Sequence, residues 1–283
     1  MLSEILTFFF FLLIGLEIRE GLNKPKDAIL PSLCALSGMI FPAIIYLVLN
    51  PGSKAWAVSM PTDVALAIGA LSILGKRVNP AVRLFLLTLA VADDFFSLVV
   101  IGIFFHKDLH LASAIYTLGA ATIGFLLPFR TKLISILSPL ATYIIIPIYI
   151  WINLLSKLDL SLAGEKISVG IVIARVLGKV IGISIAAWAF TRFTRLTLPA
   201  TLDLSEVVGV GFLAGMGLTV SLVIAEITVN PDELNLVKSG LFYAALASGL
   251  LGISWFLTIA KRGQKNGAPR QDRKSTRLNS SHV

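Results

Sequence analysis

Residues Val82–Phe105 read VRLFLLTLAVADDFFSLVVIGIFF, and past Arg83 the only charges in this run are the adjacent carboxylates Asp93 and Asp94 at its centre. About 20 mostly apolar residues suffice for a helix to cross the roughly 30 Å hydrocarbon core of a bilayer. The two acids therefore belong at mid-depth. An ionisable side chain there costs on the order of 2.5–3.5 kcal/mol by insertion scales and marks a functional site by default.

The rest of the chain agrees with a membrane reading. Of 283 residues, 14% are charged and 56% hydrophobic, with a mean hydropathy of +0.88; an average soluble domain has roughly 25% charged residues. A water-soluble globule is excluded. The formal net charge of +8, from 24 Lys+Arg against 16 Asp+Glu, would suggest nucleic-acid binding in a polar chain. Here the basic residues stand between long apolar runs instead of interleaving with aromatics, and that reading is set aside. Cys34 is the single cysteine, so neither an intrachain disulfide nor a cysteine-based zinc site can form. Met1–Glu4 has no basic segment and the apolar run that follows has no small-residue cleavage site, so no secretory signal is read.

Nine stretches have spanning length: Leu2–Ile18, Ile29–Leu49, Ala55–Leu74, Val82–Phe105, Leu111–Phe129, Leu133–Leu155, Ser168–Thr191, Leu204–Ile227 and Leu236–Ala260. The first and fifth are the shortest. The Lys and Arg bias of short loops sets orientation. With alternate loops inside, fourteen basic residues fall inside and five outside, the five being Lys54, Lys107, Lys157, Lys166 and Lys238. This predicts an external N-terminus and a cytoplasmic C-terminus. Residues 1–262 form the transmembrane domain and 263–271 a cytoplasmic tail. Asp272–His282 spell what a widely used sequencing-library adaptor encodes, so Asp272–Val283 are expected to be adaptor read-through.

Asp63 near the middle of the third stretch and Lys179 at the middle of the seventh join Asp93 and Asp94 at one depth. Such groups are not tolerated against lipid, so these helices should meet around a polar cavity. Adjacent helical residues point about 100° apart, so one of Asp93 and Asp94 can face the cavity while the other pairs across it. Two close carboxylates resist simultaneous ionisation and hold a proton that a cation can displace. Na+ or Li+ would take its oxygens from Asp94, Asp63 and the Thr62 hydroxyl, in competition with protons. A buried Asp93–Lys179 pair that only fixes helix register is the plainer alternative.

Two helices carry the means to break at that depth. Pro61, just before Thr62 and Asp63, removes a backbone donor and frees carbonyls. Gly209, Gly211, Gly215 and Gly217 precede Thr219 and Ser221 in the eighth stretch. They permit either unwinding, tolerated only in protein or beside water, or close helix packing. Gly178 and Gly182, flanking Lys179, are read as packing glycines. Arg175, one turn outward of Lys179, either lines an external funnel or snorkels or pairs. His106 and His110 read as a solvated pair in an external loop. Glu17, Arg19 and Glu20 close the first span on the inner side, as gate and pH sensor or as interfacial anchors.

The runs FFFLLIGLEIREGL (Phe9–Leu22), PTDVALAIGAL (Pro61–Leu71), LAVADD (Leu89–Asp94), GKVIGI (Gly178–Ile183) and GMGLTVSLVIA (Gly215–Ala225) resemble five helices of the NhaA family of bacterial sodium/proton antiporters, in family order. That family is itself a type example of an inverted repeat with two discontinuous helices crossing at the midplane. The resemblance implies an all-α integral membrane protein in the cell inner membrane, exchanging internal Na+ or Li+ for external H+ without a cofactor. It implies Asp94 as the principal ion and proton site, Asp93 as the partner that exchanges between Lys179 and the cation, and Asp63 with Thr62 as support. Breaks at Pro61 and at Gly215 and Gly217 would bring half-helix ends face to face, with Asp63 and Lys179 balancing their partial charges.

The family has twelve helices against the nine read here. Its first helix, and the hairpin through which its homodimers form, would precede Met1, and two further helices are missing near 106–118. Ile134, Ser135 and Ser138 stand where the family often has a glutamate and histidines of an inner pH sensor. A shortened remnant without transport activity is therefore the alternative to an active antiporter. An intramembrane aspartyl protease is disfavoured, because no Gly-x-Gly-Asp element leads into Asp63, Asp93 or Asp94.

Overall fold

The computed structural model describes residues 2–21, 25–105, 115–127, 130–199 and 201–265, and all the regular structure among them is helical. His106, His110 and the segment Asp272–Val283 lie outside the described residues. In chain order the helices are α1 (Leu2–Gly21), α2 (Pro25–Leu49), α3 (Val64–Leu74), α4 (Pro80–Phe104), α5 (Ala120–Leu126), α6 (Arg130–Leu140), α7 (Ile146–Asn153), α8 (Lys166–Ile173), α9 (Lys179–Phe193), α10 (Leu204–Ala214), α11 (Thr219–Thr228) and α12 (Pro231–Lys265). Two pairs are continuous through a π-helical turn, α6–α7 at Ala141–Ile145 and α8–α9 at Ala174–Gly178.

Six segments are long and apolar enough to span: Ala28–Leu49, Lys54–Leu74, Pro80–Phe104, Lys132–Asn153, Lys166–Phe193 and Pro231–Lys261. The pair α10 and α11, bent by 48°, makes a seventh. The nine stretches read from sequence thus reduce to six or seven by length and composition among the described residues. The first stretch is the 20-residue α1, which carries Glu4, Glu17, Arg19 and Glu20. Of the fifth, only Tyr116–Leu126 is a described apolar helix.

Solvent on the outside of this bundle must be hydrocarbon. Val48, Ile73, Leu84, Phe104, Tyr143 and Phe193 are all more than 60% exposed, whereas Asp93, Arg175 and Lys179 have no exposure at all. That inverts the distribution of a soluble protein. Between the helices, small residues bring backbones into contact. A Cβ on Gly182 or Gly178 would meet the α2 backbone at Ser37 or Pro42, and Gly15 and Gly124 do the same service between α1 and α5. The packing role read for Gly178 and Gly182 is therefore what the helix contacts display. Gly182→Val should wedge α9 from α2 at a cost of about 1–3 kcal/mol or more, seen as a lowered melting temperature in detergent. Gly69→Ala, into open space on α3, should leave it unchanged or slightly raised.

Local signals start the helices that carry the site. Asn79 caps α4, its Oδ1 accepting from Ala81 N at 3.0 Å, with Pro80 in the first turn. At the start of α10, Asp203 N donates to Glu206 Oε2 at 3.1 Å, closing the first turn from the side-chain end. The buried apolar residues form two clusters, and along each helix of the site the changeover from one to the other falls at the polar positions. Met60 and Ala67 lie on opposite sides of Thr62 and Asp63, Ala90 and Ile101 of Asp93 and Asp94, Ala174 and Ile183 of Lys179, and Ala214 and Leu218 of the α10–α11 break. The shared depth expected from sequence is thereby a packed layer of polar groups between two apolar ones.

Candidate functional site

Two interrupted helices meet in this layer. The first runs as a 3-10 turn over Lys54–Ser59, breaks at Met60–Thr62 and restarts as α3 with Asp63 as its N-cap. The second breaks between α10 and α11, at Gly215–Leu218. Of the four glycines weighed from sequence, Gly209 and Gly211 stay inside α10, and only Gly215 and Gly217 belong to the break.

Asp63 serves both restarts. Its Oδ1 accepts from Ala65 N at 3.1 Å and Leu66 N at 3.3 Å. Its Oδ2 accepts from Thr219 N at 3.3 Å and Thr219 Oγ1 at 2.8 Å. A helix start leaves N–H groups without intrahelical partners and a partial positive charge, and here one carboxylate meets two such ends.

The carbonyl ends are met by Arg175, which is completely buried. Its guanidinium donates from Nη1 to Val58 O at 2.8 Å and Ser221 Oγ at 2.7 Å, from Nη2 to Pro61 O at 2.7 Å and from Nε to Gly215 O at 3.2 Å. A side chain on Gly217 would collide with the Pro61 carbonyl and the Arg175 Nη2, so only glycine leaves room for the guanidinium there. The external funnel and the snorkelling read for Arg175 are both overturned, because it points inward and pairs. The hydrogen bonds that reach the carbonyl ends of the breaks therefore come from Arg175, and those of Lys179 go to side chains. Lys179 Nζ donates to Asp93 Oδ2 at 2.7 Å and Thr62 Oγ1 at 2.9 Å, and no described backbone carbonyl accepts from it.

Asp93 and Asp94 are 0% and 4% exposed. Asp93 takes the lysine, while Asp94 faces the charges of Asp93, Glu17, Asp63 and Lys179. Asp93 Oδ1, Asp94 Oδ1 and Ser97 Oγ are buried with no hydrogen-bond partner among the described residues. Ser97 follows Asp93 by four positions and Asp94 by three, hence on their face of α4. Sequence reading passed over it, although that spacing was visible. Among the described residues no three His, Cys, Asp or Glu side chains assemble as a metal-ligand group.

Near the C-terminal end of α1, Arg19 Nη1 donates to Phe125 O at 2.6 Å and the guanidinium lies 5.6 Å from the Phe125 ring centroid. That is an anchoring contact between α1 and α5. At the other end of the bundle, Lys238, counted from sequence as an outside-loop residue, is 2% exposed inside α12, 3.7 Å from Glu226.

The profile of the family described as Na+/H+ antiporter 1 matches residues 1–156 and again residues 128–256. The chain belongs to this family. It is 29% identical to the Na+/H+ antiporter NhaA of Salmonella typhimurium strain LT2 and to that of Escherichia coli O6:H1, in each case over 317 residues covering 90% of this chain and 82% of the relative. The family and both relatives are described as Na+/H+ antiporters, which are transporters.

Proposed function

We propose that this chain is a secondary transporter of the bacterial inner membrane that exchanges internal Na+ or Li+ for external H+, sustaining pH and sodium homeostasis. The observation that carries this reading is the set of buried α4 oxygens without a hydrogen-bond partner among the described residues, Asp93 Oδ1, Asp94 Oδ1 and Ser97 Oγ, on the helix whose Asp93 binds Lys179 beside the first break. Asp94 is the carboxylate that binds either a proton or the cation. When the cation arrives, Asp93 exchanges Lys179 for it, and the Thr62 hydroxyl, which now accepts from Lys179, is released to join the coordination. Asp63 supports from behind, since all its present contacts are to helix-start donors. Glu17 and Glu20 line the inner approach, with Arg19 holding α1 in place. The N-terminus lies outside and the C-terminus in the cytoplasm, with lipid as the surrounding partner and no nucleic acid involved.

We read the chain as internally shortened near 106–118. The alignments give support: 317 residues are matched by 90% of 283, about 255, so about 60 positions of the relative have no counterpart here. That is the length of two spans with their loops. Whether the shortened bundle turns over is settled in proteoliposomes with an imposed pH gradient and a pH-sensitive dye. Addition of Na+ or Li+ should collapse the gradient. Silence from correctly inserted protein would establish the inactive remnant instead. Ser97→Ala should raise the KM for Na+ by about three- to tenfold, one oxygen ligand being worth about a kcal/mol, with kcat changed less; an unaltered KM removes Ser97 from the site.

A further inference from the structure

We infer that Arg175 is the positioning residue of the two helix breaks, and that Lys179 is thereby left free to serve the ion exchange alone. This rests on the antiport reading for its kinetic part and on geometry for the rest. One guanidinium holds Val58 O and Pro61 O at the first break and Gly215 O at the second, with Ser221 Oγ of α11 as a fourth contact. Four donors in a rigid planar fork suit such a task, where an ammonium is a single point. None of the four contacts involves Asp93 or Asp94. When a cation draws Asp93 away from Lys179, the carbonyl ends of both breaks remain held, and the two half-helix pairs can move as one body between the inward and outward states.

The π-helical turn Ala174–Gly178 in which Arg175 sits has its own part in this. Such turns arise where a helix must re-aim a side chain, often at functional sites. Here Arg175 and Lys179, four positions apart, engage different partners, one the backbone carbonyls of both breaks and the other Asp93 of α4 and the Thr62 hydroxyl. The titratable groups facing Lys179 are Asp93 and Asp94 on α4 and Arg175 on its own span.

The test compares three variants of the full chain in proteoliposomes and detergent. Arg175→Met should lower the melting temperature by more than about 5 °C, because buried carbonyls lose their donors. The double variant Asp93→Asn with Lys179→Met removes the other buried pair without orphaning a charge and should stay within about 2 °C of the parent. Arg175→Lys, which can reach only part of the carbonyl set, should insert normally. Its kcat should fall about tenfold or more while the KM for Na+ stays within about threefold and the pH profile does not move. A double variant as unstable as Arg175→Met, a parental kcat in Arg175→Lys, or a displaced pH profile in Arg175→Lys would overturn the assignment. If the parent itself does not transport, the melting comparison still decides the clamp, and the antiport reading fails separately.

Discussion

Asp94→Asn should abolish Na+-evoked and Li+-evoked proton release, lowering the rate at least about a hundredfold, while leaving the melting temperature unchanged or slightly raised. The side chain is 4% exposed, and its Oδ1 has no hydrogen-bond donor among the described residues. Asparagine fills the same space but can neither take a proton nor offer a charge to a cation leaving water. A cation brought into a buried site without a neutralising charge loses several kcal/mol, and every 1.4 kcal/mol is about tenfold in occupancy. Stability should not suffer, since Oδ1 receives no donor among the described residues that the amide would lose. Because one carboxylate holds either ion, the parent's KM for Na+ should also rise as pH falls, a proton having first to be displaced. Parental transport by Asp94→Asn, or a KM indifferent to pH, would show that the exchanged ions bind elsewhere.

Asp63→Ala should act through stability instead. It removes the acceptors of Ala65 N, Leu66 N, Thr219 N and Thr219 Oγ1 at once. A buried donor without a partner costs about 1–3 kcal/mol, and three N–H groups plus a hydroxyl that can turn elsewhere lose on the order of 3–6 kcal/mol, less what is regained by no longer burying a charge. At about 2–4 °C per kcal/mol for a chain of this size, the melting temperature should fall by about 10 °C. Asp63→Asn should lie between, because its amide oxygen can still cap α3 while its nitrogen confronts the Thr219 N–H. An Asp63→Ala protein that melts with the parent would mean the two half-helix starts are held by something other than this side chain.

The two variants separate the acids by what touches them, a distinction invisible in the sequence. Asp63, Asp93 and Asp94 look alike as charges in apolar runs, and sequence reading assigned Asp63 and Thr62 to the cation alongside Asp94. In the folded chain both Asp63 oxygens are occupied and Thr62 accepts from Lys179. Only the contacts of the neighbouring helices separate a capping carboxylate from an available one. Arg175 is the clearest case. Its sequence neighbours place it one turn from Lys179, which is compatible with a funnel, a snorkel or a pair. Its actual partners lie 40 to 117 residues away, at carbonyls that exist as free acceptors only because two other helices break.

What the sequence by itself determined is set by solvent. Apolar runs of spanning length must be helices in hydrocarbon, an acid or base in their midst must be buried in protein, and Pro61 or a run of glycines at that depth must be where a helix yields. Those statements depend on a residue and its position along its own helix, so composition, the spans, Asp63, Asp93, Asp94, Lys179 and the two breaks were legible. What only the tertiary structure decided is which group meets which. Hydrogen bonds are short and directional, and helices that lipid presses together can rotate and slide by a turn with almost no change in their hydropathy. The partners of Asp63, the inward aim of Arg175 and the lack of described partners for Asp94 Oδ1 and Ser97 Oγ therefore follow from packed backbones, above all from the π-helical turn at Gly178 and α9 at Gly182 lying on α2.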